Sequence, residues 1–471
     1  MAGLYSLLWK AARPLLRRHK RLKDDFAERL VPPAWPFTAA LQATGAINPA
    51  RPGAPCRLWL QAASGGEAYL AWELLKELAA LSPGLQALCT TCTRQGLEVL
   101  HRAQSDPACA ALRLAVNYLP LDEKAVASRA VQQAFGQGSG RPAGGGSLLV
   151  LLETEIWPGL LSACARAGVA GAIVNARMTE GSCKAYRWLR PWLRRLAPAA
   201  ILATAAGDLQ RFCQIFDPKV ADGENSALNR PVRALMPNMK FDRLLPAETP
   251  PVEAPEEALP AAGSLPPGGL LLLASTREEE ESVLLEAIPQ LLARAPSSAL
   301  ALAPRHLHRI QAWRGALDRL GITYSLRSGY GSLSEVAPAP GRVLLWDVFG
   351  ELGSLYRLAS AVFVGGSLAP LGGQNFLEAL ATGLIPCIGP HWSNFYWAGE
   401  ELFSRGLARR LESGAELAPT LLELLRQARP KGEVKREFAE YLAPRRGGTR
   451  QAAGLILRLL EKNPPEAAHG R

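Results

Sequence analysis

Short, almost wholly apolar runs recur along the chain, each followed by a stretch of helical spacing, and this alternation fixes the class of fold. In the first half the runs fall at 57–63, 85–91, 112–118, 148–152, 169–174 and 200–204. In the second half they fall at 270–275, 299–303, 322–326, 343–346, 361–364 and 384–388. A strand apolar at nearly every position is buried on both faces, as in parallel sheets covered by helices on either side. The expectation is an α/β protein of two successive Rossmann-like, doubly wound domains facing a cleft. Ligands of such sheets bind outside the carboxyl ends of the strands. A chain of 471 residues has room for two such cores.

The composition breaks at 246–267, where Pro, Glu and Ala dominate, and this stretch reads as an inter-domain linker. Residues 31–245 then form the first domain and 268–471 the second. The Gly/Ser-rich stretch 136–146 reads as a loop. Residues 1–30 stand apart. Seven Lys or Arg and no acid occur in residues 1–23, and Leu4, Leu8, Ala11, Ala12 and Leu15 recur at helical spacing. Lys10 and Arg13 interrupt the apolar stretch, which falls short of the roughly 20 residues a membrane span needs. No small-residue cleavage site follows. The segment therefore reads as a basic amphipathic helix lying on an anionic membrane face, or as a helix packed on the domain with a solvated basic face.

The excess of 53 Lys and Arg over 42 Asp and Glu also favours an anionic partner. A nucleic-acid-binding protein would show a clustered basic-aromatic stripe or a recognition motif, and neither is present, so no nucleic-acid partner is expected. The cysteines (Cys56, Cys89, Cys92, Cys109, Cys164, Cys183, Cys213, Cys387) are scattered, as in a reducing compartment. Cys89 and Cys92 lie in an apolar, Thr-rich run with no second pair at zinc-finger spacing.

Chemistry-bearing residues gather where strands are expected to end. Ser64-Gly65-Gly66-Glu67 follows the first strand and opens a helix. Glu67 suits a general base, and equally a carboxylate complementing the helix dipole. Glu153-Thr154-Glu155-Ile156-Trp157-Pro158 places two carboxylates at another strand end, where burial without partners is costly. Lys240, in Asn238-Met239-Lys240-Phe241-Asp242, and Arg305, in Pro304-Arg305-His306, suit a phosphate or a carboxylate. The strand ending at Val364 leads into Gly365-Gly366-Ser367-Leu368 and then Gly372-Gly373-Gln374-Asn375-Phe376-Leu377-Glu378. Such a loop offers backbone N–H groups to an anion, and an acid one turn into the helix can accept from ribose hydroxyls.

These segments resemble, in order and over nearly the whole chain, the family of Kdo (3-deoxy-manno-octulosonic acid) transferases. The matching segments are Ser64-Gly65-Gly66-Glu67, TTCTRQG at 90–96, ETEIWP at 153–158, Asn175-Ala176-Arg177, NMKFD at 238–242, Pro304-Arg305-His306, Gly350-Glu351, residues 365–378, and Gly389-Pro390-His391 with Asn394-Phe395. The resemblance implies the GT-B glycosyltransferase fold. It implies an inverting transfer of Kdo from CMP-β-Kdo to lipid IVA, a lipid A precursor, in lipopolysaccharide synthesis. The first domain would then bind the acceptor and the second the CMP-sugar. It implies attachment by the N-terminal segment to the cytoplasmic face of the inner membrane.

Position by position, Glu67 matches the family's catalytic base, and Glu153 and Lys240 match residues that stabilise the transition state. Pro304, Arg305, Phe349, Gly350, Glu351, Asn375, Phe376, Leu377 and Glu378 match segments that bind CMP. The chain departs from the family at Gln374 (usually His), Pro237 (usually Gly), Trp346-Asp347-Val348-Phe349 (usually Gly-Asp-Thr-Met) and Arg277 (usually His), mostly on the nucleotide side. No Asp-x-Asp pair is placed to hold a metal on a diphosphate, and a monophosphate leaving group needs one less. No cofactor and no metal are therefore expected. The competing enzyme class is a GT-B transferase or epimerase that uses a UDP-sugar.

Overall fold

A computed structural model of the protein describes residues 2–18, 26–30, 57–135, 146–217, 231–244 and 265–462. Most of the linker expected at 246–267, nearly all of the loop expected at 136–146, and residues 19–23 of the basic segment lie outside them. The chain forms two compact units, residues 1–243 with 445–471, and 244–444.

The first unit holds β1 (Arg57–Ala62), β2 (Gln86–Thr91), β3 (Arg113–Tyr118), β4 (Ser147–Leu152), β5 (Ala170–Ala176), β6 (Ala200–Ala203) and β7 (Val232–Leu235). They form one parallel sheet in the order β3-β2-β1-β4-β5-β6-β7. Alternate side chains of a strand point to opposite faces. Accordingly Leu148, Val150 and Leu152 enter one core and Leu149 and Leu151 the other. Two cores on one sheet are the reason the strands read as unbroken apolar runs.

The second unit holds β8 (Leu270–Thr276), β9 (Ala299–Pro304), β10 (Tyr324–Leu326), β11 (Val343–Leu345), β12 (Ala361–Val364), β13 (Pro386–Ile388) and β14 (Arg409–Arg410). Their order is β10-β11-β9-β8-β12-β13-β14, again all parallel. Each sheet thus has seven strands where the apolar runs give six. The additions, β7 and β14, are edge strands, and neither carries a buried apolar run to announce it.

One expected boundary is corrected. The chain from 445 on belongs to the first unit, not to the second. The helix Gly448–Lys462 places Ala452, Ala453, Leu455, Ile456 and Leu460 in the first unit's core beside Leu58 and Leu148. Close approach of backbones secures it at both ends. A side chain at Gly448 would meet the Pro237 carbonyl at 2.1 Å, and one at Gly146 the Leu460 carbonyl at 2.1 Å. Asp242 caps the start of this helix, accepting from Gly447 N and Thr449 N at 2.7 Å each.

The N-terminal helix Ala2–Leu16 also packs on the first unit. Tyr5 donates to the buried Asp122 carboxylate at 2.6 Å, Arg13 pairs with Glu123, and Trp9 and Leu16 pack beside Leu121 and Val126. Its other face leaves Leu7, Leu8 and Leu15 exposed. Both halves of the sequence expectation are therefore modified. The helix is packed, and its free face is apolar as well as basic. Among the described residues no helix is long and apolar enough to cross a membrane.

Candidate active site

Strand order reverses between β1 and β4, and such a switch point opens a crevice at the strands' carboxyl ends. Glu67 and Glu153 flank it, one just beyond β1 and the other just beyond β4. Glu67 lies in the first turn of the helix Gly65–Leu81, and its carboxylate accepts from Ser64 N at 2.8 Å while Ser64 Oγ accepts from Glu67 N at 3.4 Å. This capping box fulfils the helix-terminal reading of Glu67. It does not exhaust the residue. Burial, then the negative charges of Glu153 and Glu155, raises the Glu67 carboxyl to about 7. A carboxylate near neutrality accepts and returns protons efficiently.

Glu153 is buried, with φ of 58°, a left-handed backbone that non-glycine residues adopt at a cost. Its carboxylate meets Lys240 Nζ at 2.6 Å. The wholly buried Asn175 holds both in register, and its own φ is 53°. Its amide donates to Glu153 Oε1 and to Asn238 Oδ1 at 3.3 Å each, and its carbonyl accepts from Met239 N at 2.9 Å. Asn238 in turn accepts from Lys240 N at 3.0 Å. The three residues expected to be catalytic are thus gathered, a carboxyl raised to about 7 and an ammonium–carboxylate pair at one strand-order switch point. The sequence gives Asn175 and Asp242 as parts of matched segments without roles. Their work depends on pairings across 22 and 205 residues, which no local pattern shows.

In the second unit the glycine-rich loop differs from expectation. Its N–H groups do converge on a carboxylate, but the carboxylate is the protein's own. Gly366 N donates to Glu280 Oε2 at 2.6 Å, and Ser367 N and Leu368 N to Glu280 Oε1 at 2.8 Å each. Glu280 has no exposed surface, and Gly365 lacks a side chain where one would meet Glu280 Oε2 at 2.8 Å. The anion cradle expected for a ligand is filled from within. Glu280→Gln would set an NH2 group against these donors, and an unmet buried donor costs about 1–3 kcal/mol. The variant should unfold at correspondingly lower urea concentration, and an unchanged midpoint would show that the loop does not need the charge.

The other residues expected at the nucleotide fall into two groups. Phe376 and Leu377 have buried side chains, Phe376 against Trp392, Phe395 and Phe403, so only their backbones are available to a ligand. Pro304 is buried at the end of β9. Glu351 receives a two-pronged contact from the buried Arg327, at 2.9 Å on each oxygen. Arg305, Gly350 and Glu378 are exposed, as is Phe349 at 74%. Asn375 donates to Glu378 at 2.6 Å, while its own buried Oδ1 accepts from no described group. That orphaned acceptor is consistent with a donor arriving on a ligand.

Among the described residues no group of three or more His, Cys, Asp or Glu is placed to hold a metal ion. The cysteines described are free, and burial pushes the thiols of Cys89 and Cys92 far up.

Residues 34–225 match the family model described as 3-Deoxy-D-manno-octulosonic-acid transferase (kdotransferase). The 3-deoxy-D-manno-octulosonic acid transferase of Bordetella pertussis is 30% identical over 465 residues, 95% of this chain and 97% of that protein. The Haemophilus influenzae enzyme of the same name is 26% identical over 87% of this chain and 88% of its own length. Among solved structures, the UDP-GlcNAc 2-epimerase of Neisseria meningitidis, bound to UDP-GlcNAc, aligns with a TM-score of 0.52 at 12% identity. It covers 86% of this chain and 100% of that one. At that identity it speaks for the fold, GT-B, and for nothing more.

Proposed function

Because the chain belongs to the family of 3-deoxy-D-manno-octulosonic acid (Kdo) transferases, we propose that it transfers Kdo from CMP-β-Kdo to lipid IVA with inversion, at the cytoplasmic face of the inner membrane. One observation carries the mechanism: Glu67, its carboxyl raised to about 7, lies in the same crevice as the Glu153–Lys240 pair. Glu67 accepts the proton of an acceptor hydroxyl as the oxygen bonds to the anomeric carbon of Kdo. The bond from that carbon to the phosphate oxygen breaks, and CMP leaves with the electron pair. Lys240 offsets the negative charge that accumulates, and Glu153 holds the ammonium in place. The charge is met by a side-chain ammonium, and the reaction proceeds without metal or cofactor.

Purified protein, CMP-Kdo and lipid IVA with excess EDTA should give a product heavier by one or more Kdo residues by mass spectrometry. Transfer from a UDP-sugar in place of CMP-Kdo would overturn the donor, and activity restored only by magnesium or manganese would overturn metal independence.

The membrane assignment rests on the exposed Leu7, Leu8 and Leu15 of the N-terminal helix. On the same unit Trp192 touches Tyr5 edge-on at 5.2 Å, and Trp188 nearby is 85% exposed among Lys184, Arg187 and Arg190. Apolar and aromatic side chains among cations suit the headgroup boundary of an anionic leaflet. Replacing Leu7, Leu8 and Leu15 with Ser removes groups worth roughly 1.5–3 kcal/mol each when buried in lipid. Binding to vesicles containing acidic lipid should fall at least about tenfold. Unchanged binding would mean this face does not enter the membrane.

A further inference from the structure

We infer that Arg277, which stands where the family usually has His, binds the donor's phosphate beside Arg305, a residue that the resemblance already assigns to CMP. The inference rests on the donor reading above. Three observations lead to it.

The first is register. Thr276 of β8 pairs with Pro304 of β9, and Arg305 N donates to Thr276 O at 3.0 Å. Arg277 and Arg305 are the next residues on these two adjacent parallel strands, so both emerge side by side at the carboxyl edge. The position adjoins the second unit's own switch point, between β8 and β12. His306 feels both guanidinium charges, and stacks on His308 with ring centres 5.4 Å apart.

The second is where the neighbouring acids are directed. Four glutamates follow Arg277, more than enough in number to neutralise it. Glu278 and Glu281 both go to Arg309, at 2.9 and 2.6 Å. Glu280 is taken by the glycine-rich loop. Only Glu279 remains, half-exposed and 3.8 Å from Arg277. Among the described residues no carboxylate forms an ion pair with Arg305. Two arginines at adjacent strand ends therefore have one loose counter-charge between them among the described residues. A phosphate is the ligand that guanidinium forks bind best.

The third is exclusion. The N–H cradle that a sequence reading gives to the phosphate already holds a buried carboxylate, and a second anion there would be repelled. The phosphate falls instead to the arginine pair, one strand away.

The test measures binding of CMP, UDP and cytidine to the full chain by calorimetry, with melting curves to verify folding. A charged hydrogen bond is worth enough that Arg277→Gln should weaken CMP about tenfold or more. Cytidine, which lacks phosphate, should change less than about twofold on the same reasoning. Arg277→Lys, keeping charge without the fork, should fall between. Unchanged CMP affinity in folded Arg277→Gln overturns the inference, as does an equal loss for cytidine. Wild-type protein that binds CMP and UDP no better than cytidine also overturns it. Wild-type protein that prefers UDP, and loses that affinity in Arg277→Gln, removes the CMP donor and leaves the phosphate site standing.

Discussion

Glu67→Gln is expected to lower turnover by about 10²–10⁴-fold, the usual worth of a general base, with CMP affinity unchanged. The substitution is well suited to separating the residue's two tasks. A capping box accepts Gln in place of Glu, so the contact to Ser64 N survives and the helix should keep its start. Only proton acceptance is lost. The wild-type rate should fall as pH drops through about 7, because burial and two neighbouring carboxylates hold Glu67 there. Stability should run the opposite way. A carboxyl raised from 4.5 to about 7 favours the folded state while protonated, and that contribution is lost as pH rises through the folded value. Glu67→Gln has no charge to bury, so above about pH 7 it should melt higher than the wild type. A folded Glu67→Gln protein with near-normal kcat would end the assignment of Glu67 as the base.

The second large effect is expected from Lys240→Met. Removing a charged group that faces developing charge typically costs about 10²–10³ in kcat. The variant also leaves Glu153 buried without its ammonium. Breaking a fully buried pair costs about 3–5 kcal/mol. The cost should be smaller here, since the Lys240 side chain is 24% exposed. The double variant Lys240→Met, Glu153→Gln distinguishes a structural pair from a catalytic one. With both charges gone no orphan remains, so thermal stability should largely return while turnover does not. Recovery of turnover in the double variant would reduce the pair to a structural one.

The sequence exposes features that are local and conceals those that depend on a distant partner. Parallel strands buried on both faces announce themselves as apolar runs, which is why β1 through β6 and β8 through β13 could be anticipated. Glu67, Glu153 and Lys240 stand out as charged residues near strand ends, but a helix-terminal role suits Glu67 equally well, and the catalytic roles come only from the family resemblance. Asn175 stands in a matched segment, but nothing local shows its role, since a buried amide at positive φ resembles any polar residue in a strand. The glycine-rich loop departs from expectation for a related reason. Glycines reveal that N–H groups are available, but the occupant, Glu280, is 86 residues from the first of them. The helix Gly448–Lys462 shows an amphipathic pattern, and such a pattern does not say against which core its apolar face will pack.

That returning helix bears on how the enzyme is made. Asp242 and Lys240 share one short turn, and Asp242 is fixed by the start of the helix, at Gly447 and Thr449. A ribosome adds about 5–20 residues per second, so residues 244–444 separate the two by roughly 10–40 s of synthesis. During that interval the nascent chain already carries Glu67, Glu153 and the N-terminal helix. The turn that presents Lys240 still lacks its anchor, and the first core lacks one wall. Presentation of Lys240 is thereby tied to synthesis of the residues beyond 444, and a chain stalled before residue 445 would lack the anchor of that turn.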